Sequence, residues 1–161
     1  MLKSLATLAL TAGASSHGWT YDPVISITGS SWMLAHVANE EEVRMDVVAL
    51  LPYFDSVAVV ACRSEGMTLA FVPAWPVPKG RGNMSISLDD GGVDLFPTRV
   101  VGRSVVLEVE DQGIVLRFLE RMGAGTTMRI DDGFGTAVYD ITGAVDAISV
   151  VKKNCPNVDL R

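Results

Sequence analysis

The 161-residue chain is poor in the residues that most often carry chemistry. It has two histidines, two cysteines and three tryptophans. His17 and His36 have no partner at metal-ligand or catalytic-triad spacing, so neither marks a metal centre or an acid–base pair. There is no G-x-S-x-G elbow, although a Ser–His–Asp set dispersed along the chain stays open, because its members need not be neighbours. Lysine and arginine number 13 against 19 aspartates and glutamates, a net charge of −6, with no basic cluster. Nucleic acid and anionic membranes need positive charge to replace counterions, so both are poor partners. Beyond the N-terminus no stretch approaches the roughly 20 apolar residues of a membrane span. Internal repeats and low-complexity segments are missing too.

What is present describes a globular β-rich protein. Hydrophobic residues make up 48% and charged residues 20%, which suits a packed core. The length fits one domain able to bury that core unaided. Fifteen glycines and seven prolines supply many turns. The N-terminus has the pattern of an export signal: a positive Met1-Leu-Lys3, an apolar Ser4–Thr11 and a small-residue Ala12-Gly-Ala14. Residues 1–14 are therefore expected to be a signal peptide and 15–161 a single β-rich domain, periplasmic or secreted. No cysteine follows the cleavage site, so no lipid anchor is expected.

Strands are expected over Gly18–Ile27 and Trp32–Val37. Asn39–Leu51 fits either a helix, with Asn39 and Glu42 as a capping box, or a strand. Its β-branched residues favour the strand. The run ending in Ser56-Val-Ala-Val-Val-Ala-Cys62 is almost continuously apolar, as in a central strand covered on both faces. Ser64-Glu-Gly66 turns the chain back into Met67–Val72. Pro73–Gly82 holds three prolines, which cannot donate to a ladder, so it is expected as a surface excursion. Trp75, Pro76 and Pro78 make it a candidate interaction arm, with the indole as anchor. The alternative is that Trp75 folds back to cover the core. Met84–Leu88 alternates, Asp89–Gly92 turns, Val93–Phe96 is short and ends at Pro97, and Val105–Val109 is another half-buried strand.

The last third reads helix, strand, strand, helix. Gly113–Met122 places Ile114, Val115, Phe118, Leu119 and Met122 on one face, with Asp111 as N-cap and Gly123 as stop. Strands follow at Thr127–Ile130 and Thr136–Ile141. A second helix, Ala144–Asn154, takes Thr142 as its expected N-cap and ends before Pro156. Ile148, Val151 and Cys155 share its inward face.

Two acidic turns, Asp89-Asp-Gly-Gly-Val-Asp94 and Asp131-Asp-Gly133, contain oxygen ligands but lack calcium-loop spacing, and Asp-Gly is common turn chemistry. Gly123-Ala-Gly125 follows a helix where a phosphate loop would open one. No catalytic residue, metal ligand or cofactor is assigned.

Several segments together carry a likeness. They are Ala61-Cys62-Arg63 before a hairpin return, Ile86-Ser-Leu-Asp89-Asp-Gly91, the Ile114…Phe118-Leu119 helix, and Tyr139-Asp-Ile-Thr-Gly143-Ala-Val-Asp-Ala147-Ile148 leading to Cys155. Over residues 43–155 the chain resembles small exported β-sandwich proteins of Gram-negative bacteria, of the type VI secretion accessory and invasion-associated locus B types. Those relatives often carry Arg and Trp where Ser87 and Phe96 stand, so no subfamily function transfers. The resemblance implies export, an antiparallel β-sandwich with two short helices (113–122 and 144–154), and no enzyme. An oxidising compartment with only two cysteines leaves one intrachain pairing, Cys62–Cys155.

The functional expectation is a non-enzymatic module that binds another protein. A small-ligand or lipid-binding β-fold is the main alternative, and a hydrolase the third. Intact-mass measurement on protein from its native host is expected to give a chain beginning at Ser15. A cytoplasmic protein still carrying Met1 would end the export reading.

Overall fold

The structure is a computed structural model. It describes residues 19–21, 25–26, 29–39, 44–63, 66–89 and 91–155, with side chains described for 29–35 and, within those ranges, from 48 onward. The expected signal at 1–14, His17, Glu40–Glu42, Ser64-Glu65, Asp90 and Pro156 lie outside the described residues.

The described strands are β1 (Trp19–Tyr21), β2 (Ile25–Ser26), β3 (Met33–Asn39), β4 (Arg44–Tyr53), β5 (Ser56–Arg63), β6 (Gly66–Val72), β7 (Arg81–Leu88), β8 (Val93–Val101), β9 (Ser104–Leu107), β10 (Thr127–Asp131) and β11 (Thr136–Asp140). Helix α1 (Gln112–Ala124) precedes β10, and α2 (Ala144–Lys153) follows β11. The class is as the sequence indicates, mainly β and antiparallel with two helices. The two separate sheets of a sandwich are not seen. All eleven strands belong to one sheet, in the order β1-β3-β4-β5-β6-β9-β8-β7-β10-β11, with β2 beside β3. The short β6–β9 ladder, Ala70 opposite Val106 and Phe71 opposite Val105, joins the strands on its two sides into that one sheet.

This sheet curls until its last strand meets β4 and β5. The Tyr139 hydroxyl on β11 hydrogen-bonds Ser56 Oγ at 2.8 Å, and Trp32 Nε1 donates to the Ile141 carbonyl at 3.3 Å. The enclosed core includes Trp32, Leu51, Val60, Leu69, Phe71, Met84, Ile86 and Tyr139 from the sheet side. Helix α1 adds Val115, Phe118, Leu119 and Met122, and α2 adds Ala144, Ala147, Ile148 and Val151. The helices pack on each other, α2 lies against β4 and β5, and α1 against β6. Strand β5 is buried on both faces: Met33, Ala35, Val48, Leu50, Val57 and Ala61 form a second cluster opposite the first. Its continuous apolar run has this cause.

The segment 44–53 is a strand, as its β-branched residues favoured. Strand β8 does not stop at Pro97 but runs to Val101. Pro97 faces Glu108, one residue beyond the end of β9, and its carbonyl accepts the Glu108 N–H at 2.8 Å. The missing proline N–H therefore falls where the neighbouring strand has already ended. Helix α1 passes Gly123 and is capped by Gly125 instead, while Asp111 is its N-cap, accepting Gly113 N–H at 2.8 Å. The N-cap of α2 is Gly143 at φ 86°, without a side-chain bond; the Thr142 hydroxyl and N–H both turn back to Asp140, the N–H at 3.0 Å from Oδ1.

Cys62 and Cys155 form a disulfide, with Cα atoms 5.4 Å apart. It ties the end of α2 to the inner face of β5. Unfolded, unreduced protein is expected to show no titratable thiol. With the cysteines 93 positions apart in sequence, reduction is expected to lower stability by about 4–5 kcal/mol in the chain-entropy description. Denaturant melts with and without reductant check this, and an unchanged midpoint would contradict it.

Candidate functional site

Turns and an irregular segment place an aromatic row at one end of the curled sheet. Tyr53 closes β4, and Phe54 with Asp55 makes the two-residue turn into β5. Phe54 sits at φ 49°, the left-handed region that a bulky side chain rarely occupies. It packs edge-on against Tyr53, with ring centroids 4.5 Å apart. Tyr53 contacts Tyr139 at 5.7 Å, Tyr139 contacts Phe71 at 6.4 Å, and Phe71 contacts Trp75 at 5.7 Å. The row ends at the β10–β11 turn, where Trp75 lies on Gly135. A Cβ at that glycine would come within 2.5 Å of the indole, so the close approach requires glycine.

Asp132 builds this end. It is almost fully buried, and one oxygen accepts the N–H groups of Phe134 (2.9 Å) and Gly135 (3.0 Å). Both oxygens receive the indole N–H of Trp75, at 3.2 and 3.0 Å. A buried carboxylate is tolerated when its oxygens are filled in this way. The turn therefore holds its tip, Phe134, in place while exposing it. Phe134 is 61% exposed and Phe54 79%. Tyr53 is also exposed, as are Pro76 and Pro78 on the neighbouring arm.

The arm residues Trp75, Pro76 and Pro78 lie outside the ladder, between β6 and β7, as three prolines require. Trp75 is half-buried and packs partly against the main core, so it is a cover as well as part of the rim. Cys62 and Cys155 serve the crosslink. Asp89 holds the β7–β8 turn to the start of β10 by accepting Thr126 Oγ1, Thr126 N–H and Thr127 N–H. The Thr126 hydroxyl first, then the two backbone groups, lower its pKa below the ordinary carboxylate value. Asp131 likewise accepts Gly133 N–H. These acidic turns spend their oxygens on donors of the chain itself. Gly123-Ala-Gly125 ends α1. Of His36, only its place in β3 opposite Val47 is described.

Ser56 is the hydroxyl set among these aromatics. It donates to the Tyr53 carbonyl at 3.0 Å and pairs with Tyr139, whose own pKa burial raises well above that of a free tyrosine. This arrangement braces the row and leaves Ser56 buried. The sequence reading did not single out Phe54 or Phe134; it took Asp132 as part of an acidic turn and Tyr139 as part of the likeness, neither as part of this site. The available signals were an aromatic residue in the shortest hairpin turn, next to a second at the strand end, and a phenylalanine between two glycines. Among the described residues no helix is long and apolar enough to cross a membrane. Comparison of the chain with family models, with curated proteins and with solved structures gives no match.

Trp75→Phe is expected to lose about 1.5–3 kcal/mol, the worth of a hydrogen bond to a charged acceptor. Trp75→Ala is expected to lose about 2–4 kcal/mol, somewhat below a fully buried tryptophan. Chemical denaturation of the two variants checks both. A melt unchanged by Trp75→Ala would mean that the indole covers nothing.

Proposed function

We propose that the chain is an exported, non-enzymatic module that binds another protein through its aromatic end. The contact surface consists of Tyr53, Phe54 and Phe134, with Pro76 and Pro78 of the arm as its rim. The observation that carries this reading is the exposure of two phenylalanines at the tips of separately braced turns. Phe54 combines two unfavourable features, an apolar ring in water and a left-handed backbone. A hairpin tip chosen for folding alone favours glycine, asparagine or aspartate. Rigid exposed aromatics lose little conformational entropy on association and are common anchors of protein interfaces.

The periplasmic or secreted location rests on the N-terminal pattern. A crosslink across the core is compatible with it, since such bonds persist in oxidising compartments. The resemblance of residues 43–155 to small exported β proteins has the same implication.

Purified protein carrying Phe54→Ser and Phe134→Ser tests the surface against wild type, in pull-downs from the envelope fraction of the native host. Both side chains are exposed, so the melting temperature is expected to stay within a few degrees. A partner retained by wild type should bind the double variant at least about tenfold more weakly, roughly 1.4 kcal/mol. Equal retention of every captured protein would reject the aromatic end as the contact surface.

A further inference from the structure

Away from the aromatic end, the β5–β6 hairpin, β8, β9 and the first turns of α1 surround a small cavity open to solvent, of about 40 Å3. Arg63 and Arg99 line it, and among the described residues no acidic side chain does. Among the described residues, neither guanidinium has an ion pair or a side-chain hydrogen bond, whereas Arg81 is paired with Glu108 and Arg121 with Asp94. Glu108 follows the lining residue Leu107, yet its carboxylate is held by Arg81 at 2.9 Å. In a chain of net charge −6, two unpaired guanidiniums at one cavity form a local positive site.

Gln112 supplies the second feature. It lines the same cavity, and its Oε1 is buried with no hydrogen-bond partner. Buried acceptors are nearly always satisfied, so an orphaned one beside a cavity points to a missing donor. The amide fits because residue 66 is glycine: a Cβ there would lie 2.3 Å from Oε1. The cavity wall thus combines two cationic donors with a residue that carries a buried, unpartnered acceptor.

We propose that this cavity binds a small oxyanion that carries a proton of its own, of which hydrogenphosphate is the simplest. Its charged oxygens accept from Arg63 and Arg99, and its O–H donates to Gln112 Oε1. Arginine forks suit such oxygens, and a charge-assisted bond is the stronger kind. The volume is several times the ~10–15 Å3 that one enclosed water needs, so it admits the oxygen-bearing end while the rest of the group fills the opening.

Amide NMR titrations with inorganic phosphate and with sulfate, near neutral pH and at constant ionic strength, test this. Sulfate matches phosphate in size and charge but has no proton to donate. Phosphate is expected to shift the Gly66, Thr68, Val106 and Gln112 amides saturably, and sulfate to bind several-fold more weakly. Arg63→Gln and Arg99→Gln, singly and together, should weaken phosphate binding, the pair by at least about tenfold. Arg129→Gln, exposed on β10, should leave it unchanged. Unperturbed amides elsewhere report that each variant is folded. Absence of a saturable shift, or equal weakening by Arg129→Gln, would overturn the site. Sulfate binding as tightly as phosphate would overturn the proton-bearing ligand.

Discussion

The disulfide between Cys62 and Cys155 joins the middle of the sheet to the end of its last helix, and the core geometry depends on that junction. A single curled sheet leaves an inner face that must be filled. Here α1 and α2 fill it, packed on each other with their apolar stripes turned inward. Two further links hold the curl shut at its rim, the Tyr139–Ser56 bond and the Trp32–Ile141 bond. With α2 fixed to β5, the returning strand β11 is brought against β4, and the aromatic row runs across that seam.

The acidic residues of this chain act largely as turn builders. Asp89, Asp111, Asp131, Asp132 and Asp140 each accept at least one backbone N–H. A carboxylate used in this way organises local backbone and offers fewer free oxygens to a cation. Asp132 goes furthest, because it links a turn to an indole 57 positions away. Local turn chemistry thereby becomes tertiary structure and sets how Phe134 is presented.

Much of the fold was legible in the residues themselves. The two helices followed from the 3.6-residue spacing of Phe118, Leu119 and Met122 and of Ile148 and Val151. The same periodicity aimed Cys155 at the sheet, and the uninterrupted apolar run identified β5 as central. The join of β6 to β9 was not legible, because backbone hydrogen bonds between distant residues leave no trace in side-chain pattern. The reach of β8 past Pro97 depended on where another strand ended, and the N-cap of α2 on a competing carboxylate, Asp140. The aromatic end was half visible. Trp75 stood out, but whether it covers or projects is decided by Gly135 and Asp132, far along the chain. Arg63, Arg99 and Gln112 come together only through the fold.

The path of the sheet bears on how the chain reaches its native state. Strands β3 to β6 form a meander of neighbouring hairpins, and β7 to β9 form another. Such local pairings close quickly, whereas β6 must wait for β9 and β7 for β10, contacts with a larger loop-closure cost. During synthesis the first meander can therefore assemble while the outer edge of β6 still lacks its neighbour. That edge, Gly66–Val72, is strongly apolar and carries no charge, the kind of strand that other chains readily extend. Arrival of β9 pairs Ala70 and Phe71 of that edge, so the short β6–β9 ladder shortens the open edge as well as joining the two halves of the sheet.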